Sequence, residues 1–417
     1  MRIRVLAIGT RGDVQPYVAL SKALIARGHD VRIGGPDNFA SWVEGHGVGY
    51  VPLGFDMQVL LDHPLVKRLM SGNPFVIPGL IRRVMLPMLR TSFDKMWEAA
   101  RDAEVIVYHP KATTAMDIAE ATGAVAICAS PIPLYPTGDF LMPVFPGNLG
   151  RPLNRLSYRF MSFSRAPFRA MINRWRREVL GLSTKSPWIA PLGWTHRGMG
   201  MRLCCVSPSV MPEPGDWDDQ THMTGYWFLD EAEAWEPDAE LAAFLEAGER
   251  PVYIGFGSMT DRSPERITRE VIDGVQRAGV RAILAKGWGA LDPKGLPDGM
   301  YAIDHAPHAA LFQRVSAVVH HGGAGTTAAG LRACQPTLIC PQVLDQPFWG
   351  RRVHALGCGP EAMPLRRLRA DRFAAALSQL TGEKRYRERA EEVGEAIRGE
   401  DGVSRAVALI EGSTAAA

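Results

Sequence analysis

Short apolar runs recur along this chain, each leading into a loop and then into a longer stretch whose apolar residues lie three and four apart. The runs at 3–8, 30–34, 104–108, 124–129 and 203–206 predict buried strands, and 16–27 and 112–121 predict helices between them. Gly28 stops the first of these helices. A second alternating block opens at Pro251, with strands expected at 252–256, 282–285, 300–303, 317–320 and 337–340. Residues 371–411 are helical in pattern and charged. Alternating strand and helix predicts an α/β protein with a doubly wound parallel sheet in each half. Two segments rich in Pro, Met, Phe, Leu and Arg, 56–101 and 131–200, interrupt the first half. The Pro-, Asp- and Gly-dense stretch 207–228 is expected to link the halves. The domains are thus expected at 1–206 and 229–385, with 386–417 as a terminal helix packing back on the first.

A length of 417 residues suits two such domains of about 200 residues each. Hydrophobic residues at 46% and charged residues at 22% are the proportions of a soluble enzyme, not of a disordered chain. A net charge of +3 without any basic tract excludes nucleic acid as the expected partner. The six cysteines (Cys128, Cys204, Cys205, Cys334, Cys340, Cys358) show no CxxC pair and no metal-ligand spacing. A reduced, cytoplasmic protein without a metal is the expectation. MRIRVLAIGT reads as a first strand, not as a signal peptide. No apolar run approaches the roughly 20 residues of a membrane span.

The sharpest chemical pattern is VVHHGGAGTTAAGL, 318–331. A strand runs into His320 and His321, then into glycines that admit a ligand close to the backbone, then into an Ala-rich helix. The unpaired N–H groups and positive dipole end of that helix make a diphosphate site. His321, Gly323, Ala324, Gly325 and Thr326 are its expected members. Ser258, in GFGSM after the strand at 252–256, faces the same phosphates from the opposite side or is an ordinary Gly-Ser turn. Asp345 and Gln346, in DQPFWGRR, suit vicinal sugar hydroxyls, or Asp345 caps the following helix.

The first loop, GTRGDVQP, lacks G-x-G-x-x-G, and the second strand ends without an acid, which excludes a nicotinamide dehydrogenase. Asp13 in that loop is either a general base facing the cleft, or a cap or Arg11 partner. Pro16 at the first helical position would make Gln15 the cap and leave Asp13 outside the helix. His29 reads as a surface residue, and His109 as a weaker candidate for chemistry.

GTRGDVQPYVALSKALIARGH, TGYWFLD, APHAALF and HHGGAGTTAAGLRACQPTLICPQVLDQPFWGRRV together resemble the family 1 glycosyltransferases, in the order that family shows. The resemblance is to the sterol glucosyltransferases and their actinobacterial relatives, with the glycopeptide-antibiotic glucosyltransferases nearby. It implies the GT-B fold, two Rossmann-like domains facing across a cleft. It also implies an inverting, metal-independent transfer of a hexose, glucose above all, from a UDP- or dTDP-sugar co-substrate. Matched by motif, Asp13 would be the base, with Arg11 and Gly12 beside the acceptor. His321 and the following backbone would hold the diphosphate, and Asp345 and Gln346 would face the hexose. Trp288, or the Ala306, Pro307 and His308 segment, would border the nucleoside. Plant members that use a His base carry it where this chain has Arg11-Gly12-Asp13, so the carboxylate itself is the base expected here.

A lipophilic acceptor would lie against the apolar stretches 64–89 and 134–144, unless these are ordinary core. The Arg-rich, aromatic stretch 151–177 suits an anionic membrane surface or a solvated helix pair. A sugar-nucleotide epimerase and a non-catalytic nucleotide-sugar binder are the rival readings.

Overall fold

The computed structural model describes residues 1–70, 74–161, 166–185, 200–230, 235–257, 264–286 and 295–415. Seven strands form the first sheet: β1 (Arg2–Leu6), β2 (Asp30–Gly35), β3 (Gly49–Pro52), β4 (Val105–Tyr108), β5 (Val125–Ser130), β6 (Arg202–Cys204) and β7 (Thr221–Met223). Their order is β3-β2-β1-β4-β5-β6-β7. Five form the second: β8 (Val252–Gly255), β9 (Ala282–Ala285), β10 (Met300–Ile303), β11 (Ala317–His320) and β12 (Thr337–Ile339), in the order β10-β9-β8-β11-β12. Every pairing is parallel.

Parallel strands covered on both faces must be apolar on both, which is why the central ones read as continuous runs. Alternate residues divide between the faces. Ile3, Val5, Val105 and Val107 pack with Val14, Tyr17 and Val18 of α1 (Arg11–Ala26). Leu6, Ile106 and Tyr108 pack instead with Phe93 and Met96 of α2 (Leu86–Ala100) and Ile118 of α3 (Ala115–Thr122). The strands missing from the sequence reading are the two edges of the first sheet. β3 is half-exposed, and β7 is a three-residue strand inside the stretch taken as the linker. An edge strand meets solvent along one side and needs no long apolar run to form.

The first helix begins five residues earlier than expected. Thr10, not Gln15, is its N-cap, and Pro16 lies inside it. The terminal helix expected at 386–417 is two helices, α9 (Lys384–Arg398) and α10 (Gly402–Ala415), preceded by α8 (Ala370–Gly382) and numbered after α4 (Arg169–Glu178), α5 (Pro264–Ala278), α6 (Ala324–Arg332) and α7 (Gln346–Ala355). α8 joins Ile267 and Val271 of α5 through Phe373 and Leu377. Ala406, Val407 and Ile410 of α10 are buried in the first domain's core beside Val14 and Trp227. Glu411 pins that end, 3.0 Å from both Arg27 and His29, so His29 is a docking residue and not a free surface one.

The Arg-rich stretch 151–177 is less uniformly solvated than its composition suggests. Arg151 pairs with Asp139 at 2.6 Å, and Arg155 with Asp216 at 3.5 Å. Arg176 of α4 is wholly buried, 2.5 Å from Asp117 and 3.1 Å from Glu120. Tyr158 and Trp175 are core residues, while Leu153, Leu156 and Phe160 are exposed. Removing one partner of a buried ion pair strands the other charge. Asp117→Ala is therefore expected to lower the unfolding free energy by about 3 kcal/mol in urea titration. A change of less than about 0.5 kcal/mol would show that water or Glu120 compensates the guanidinium fully.

Candidate active site between two switch points

In an open parallel sheet the strand order reverses at one point, and the loops after the two strands flanking it diverge to open a crevice. Here these pairs are β1 with β4 in the first sheet and β8 with β11 in the second. Asp13 follows β1 and His321 follows β11, one strand from each pair, whereas His308 follows β10 and Asp345 and Gln346 follow β12.

After β1, Gly9 has φ +148°, and a Cβ there would lie 2.0 Å from Asp13 Oδ2. Only glycine lets the Asp13 carboxylate fold back against the loop. Asp13 is the third residue of α1, and its Oδ2 accepts the Thr10 N–H at 2.8 Å, the reach-back half of a capping box. Asp13 is thus inside the helix, and the expected pairing with Arg11 is replaced by a partner from the loop after β4. Lys111 Nζ donates to Asp13 Oδ1 at 2.9 Å. His109 Nε2 lies 3.2 Å from the same oxygen, within charge contact but off the line of a hydrogen bond. The Lys111 N–H donates to His109 Nδ1 at 3.1 Å, so Nδ1 is unprotonated and Nε2 carries the proton that faces Asp13. Burial lowers the His109 imidazole and keeps it neutral. Burial alone would raise the Asp13 carboxyl, but the Lys111 charge and the His109 contact outweigh it and hold the group well below the usual carboxylate range.

His109 is only a weaker candidate from the sequence and Lys111 is not singled out there at all, so Lys111 is the main residue beside Asp13 that sequence reasoning missed. They stand 96 and 98 positions from Asp13, and the strand order alone brings them together. Their one legible signal is HPK directly after an apolar strand.

On the second sheet, His321 follows β11 and is wedged between two glycines. A Cβ at Gly257 would lie 3.1 Å from its Cε1, and one at Gly323 2.8 Å from its Nε2. Gly257 and Gly322 have φ of +70° and +94°, and Gly323 is the N-cap of α6 with no side chain capping it. Thr327 turns inward to the Gly323 carbonyl at 2.9 Å, while Ala324, Gly325 and Thr326 form the solvent-facing first turn of α6. Burial pushes the His321 imidazole down to about 4, opposed by the nearby Gly255 backbone. His321 is therefore neutral near pH 7, and its Nδ1 is buried without a hydrogen-bond partner.

Asp345 opens α7, and its Oδ2 accepts the Trp349 indole N–H at 2.7 Å; it makes no side-chain cap. Burial chiefly, and Asp13 in smaller part, raise its carboxyl. The preceding Leu344 is exposed with φ +56°, a left-handed conformation that a residue with a Cβ adopts only under constraint. Gln346 is buried, and its Oε1 accepts the N–H groups of Gln342 and Val343, bracing the loop. Ala306 is core, Pro307 caps a short helix, and His308 stacks on Phe312 with ring centroids 4.6 Å apart. Burial lowers His308 to about 4. Arg11 lies over the Trp42 ring and reaches across the domains to His305 Nε2 at 3.3 Å, and Gly12 is exposed at the mouth. Ser258 and Trp288 lie outside the described residues.

Of the apolar stretches expected to hold an acceptor, Leu134, Leu141 and Met142 are buried in the core, whereas Phe75 is 91% exposed. Phe140 meets Phe348 of the second domain with centroids 5.5 Å apart. Among the described residues no helix is long and apolar enough to cross a membrane, and all six cysteines are free.

Comparison with known proteins agrees with this architecture. Residues 3–137 match the glycosyltransferase family 28 N-terminal domain, and 281–402 the C-terminal domain of erythromycin biosynthesis protein CIII-like proteins. A sterol 3-beta-glucosyltransferase of Arabidopsis thaliana is 38% identical over 98% of this chain, and one of Emericella nidulans 36% identical over 98%. The chain spans 64% of the first relative's length and 30% of the second's. The solved glycotransferase of kitacinnamycin superposes with a TM-score of 0.71 at 20% identity, covering 98% of each chain. The glycosyltransferase VinC, in complex with dTDP, superposes at 0.65 and 20%, also covering 98% of each. Two facing parallel-sheet domains, these two domain matches and this identity along nearly the whole chain lead to one assignment: the protein has the GT-B fold of glycosyltransferases and is a homologue of the sterol 3-beta-glucosyltransferases.

Proposed function

We propose that this protein transfers a hexose, glucose in the first instance, from a UDP- or dTDP-sugar to a hydroxyl of a lipophilic small molecule. Transfer is a single displacement with inversion and needs no metal. The observation that carries the reading is an ionised, internally braced carboxylate after β1 opposite a glycine-walled imidazole and an uncapped helix start after β11. Asp13 accepts the acceptor's proton, and the acceptor oxygen bonds to the anomeric carbon. The bond from that carbon to the diphosphate breaks with its electron pair, and the amides of 324–326 with His321 receive the charge. Asp345, held by the Trp349 indole, reads the hexose hydroxyls, and the names of the relatives support glucose. The six free cysteines suit the cytoplasm.

Incubation with UDP-glucose or dTDP-glucose and a panel of phenols and sterols, in EDTA, is expected to yield β-glycosides detected by mass and by the anomeric proton. An epimerised sugar nucleotide would support the epimerase reading instead. Donor binding without any turnover would support a non-catalytic binder.

A further inference from the structure

Lys111 is not accounted for by any expected binding set, yet it holds the closest cationic contact to Asp13. Its Nζ lies 2.9 Å from Oδ1, and its side chain is 53% exposed where that of Asp13 is 13%. The ammonium is therefore the solvent-accessible half of the pair. The Lys111 N–H bond to His109 Nδ1 fixes the turn from which the side chain departs.

We propose that Lys111 is a specificity-determining residue that adapts this site to acceptors with an acidic hydroxyl, phenols above all, in preference to aliphatic alcohols of the same size. The inference rests on the reading of Asp13 as the base and names the acceptor class for it. A carboxylate neutralised by an ammonium at ion-pair distance is a weak proton acceptor, and a weak base removes a proton readily only from a hydroxyl that ionises readily. A phenol such as tyrosine's ionises near about 10, and alkanols ionise well above that. The same ammonium is close to any oxygen hydrogen-bonded to Asp13 Oδ1, and it attracts negative charge there. It thus opposes proton arrival on Asp13 but favours a phenolate-like oxygen. The two effects offset for a phenol and leave a handicap for an alkanol. In the transfer step the phenolic proton passes to Asp13, the phenolic oxygen bonds to the anomeric carbon, and the diphosphate leaves with the electron pair.

The other groups facing Asp13 do not supply this effect. His109 is neutral and packs edge-on to Tyr17, whose hydroxyl is committed to the Ala129 carbonyl. Asp345, from the second domain, is a carboxyl whose ionisation burial opposes, and it supplies no positive charge. Arg11, on the same helix, is engaged with Gln15, Trp42 and His305.

The test compares kcat/KM for 2-naphthol and decahydro-2-naphthol, with UDP-glucose or dTDP-glucose, in the native protein and in Lys111→Met and Lys111→Arg. The native protein is expected to prefer 2-naphthol by at least about tenfold, one pKa unit's worth of base strength. Lys111→Met lowers that preference about tenfold and moves the acid limb of the pH profile upward, toward the ordinary carboxylate range near about 4. Lys111→Arg keeps both the preference and the limb. A native protein that does not discriminate, or a Lys111→Met protein that loses activity equally on both acceptors with its acid limb unmoved, overturns the proposal and leaves Asp13 untouched. Asp13→Asn is assayed in parallel. If it still turns over, the base reading itself fails, a result distinct from either of those.

Discussion

Asp13→Asn is expected to lower kcat about a thousandfold while the affinity for UDP or dTDP changes less than about twofold. Asparagine keeps the shape of the side chain and an oxygen for the Thr10 N–H, so the first turn of α1 survives. What disappears is the negative charge that Lys111 and His109 surround, and with it the place for the acceptor's proton. The diphosphate loop lies in the other domain and is unaffected. Stability carries a signature of its own. A carboxyl held below its unfolded value adds stability that is complete above about pH 4 and is lost as pH falls through the folded value. The native protein should therefore unfold at a higher temperature than Asp13→Asn near pH 7, with the margin shrinking below about pH 4. Steady-state kinetics with nucleotide titration reads the first result, and calorimetry across pH the second. Near-native kcat in the variant would remove Asp13 from the chemistry.

His321→Ala produces the complementary pattern. The imidazole is neutral at working pH and sits at the mouth of α6 between Gly257 and Gly323, where a Cβ on either would press on its ring. Its removal takes one hydrogen-bonding group from the leaving diphosphate and leaves a gap between two backbones. Loss of one such preorganised group costs about a hundredfold in kcat, or about 3 kcal/mol. UDP binding by titration calorimetry should weaken along with it, while the acceptor KM holds steady. Unchanged nucleotide affinity would mean that the helix start alone carries the diphosphate, or that the donor binds elsewhere.

Much of this architecture is legible in the chain because buried parallel strands must be apolar on both faces. The eight central strands stand out for that reason, as do the short apolar edges β10 and β12 of the second sheet, whereas the first sheet's edges β3, half-exposed, and β7, three residues long, do not. The loop proposed to hold the diphosphate is equally legible as a strand–glycine–helix turn, since its glycines and its helix start are contiguous. The start of α1 was misread because Pro16 looks like a first helical residue. Thr10-x-x-Asp13 is itself a capping pattern, and it outranks the proline as a start signal here. That pattern explains why Asp13 is both a cap and a cleft residue, two roles that had been treated as exclusive. The clasp of His109 and Lys111 around Asp13 was not legible, because it depends on β4 pairing beside β1, a fact of topology that no local pattern carries. Gln346 illustrates the opposite difficulty. Its motif invites a sugar contact, yet its side-chain oxygen is taken by its own loop.

The central claim is that a nucleoside diphosphate sits on the amides after His321 with its sugar turned toward Asp13. A crystal structure of the Asp13→Asn protein with UDP-glucose or dTDP-glucose tests it most directly. The account predicts the outer phosphate within hydrogen-bond distance of the Ala324 to Thr326 amides and the His321 imidazole, and the anomeric carbon facing position 13 across the cleft. A donor bound away from the start of α6, or one whose anomeric carbon faces away from the loop after β1, would contradict it.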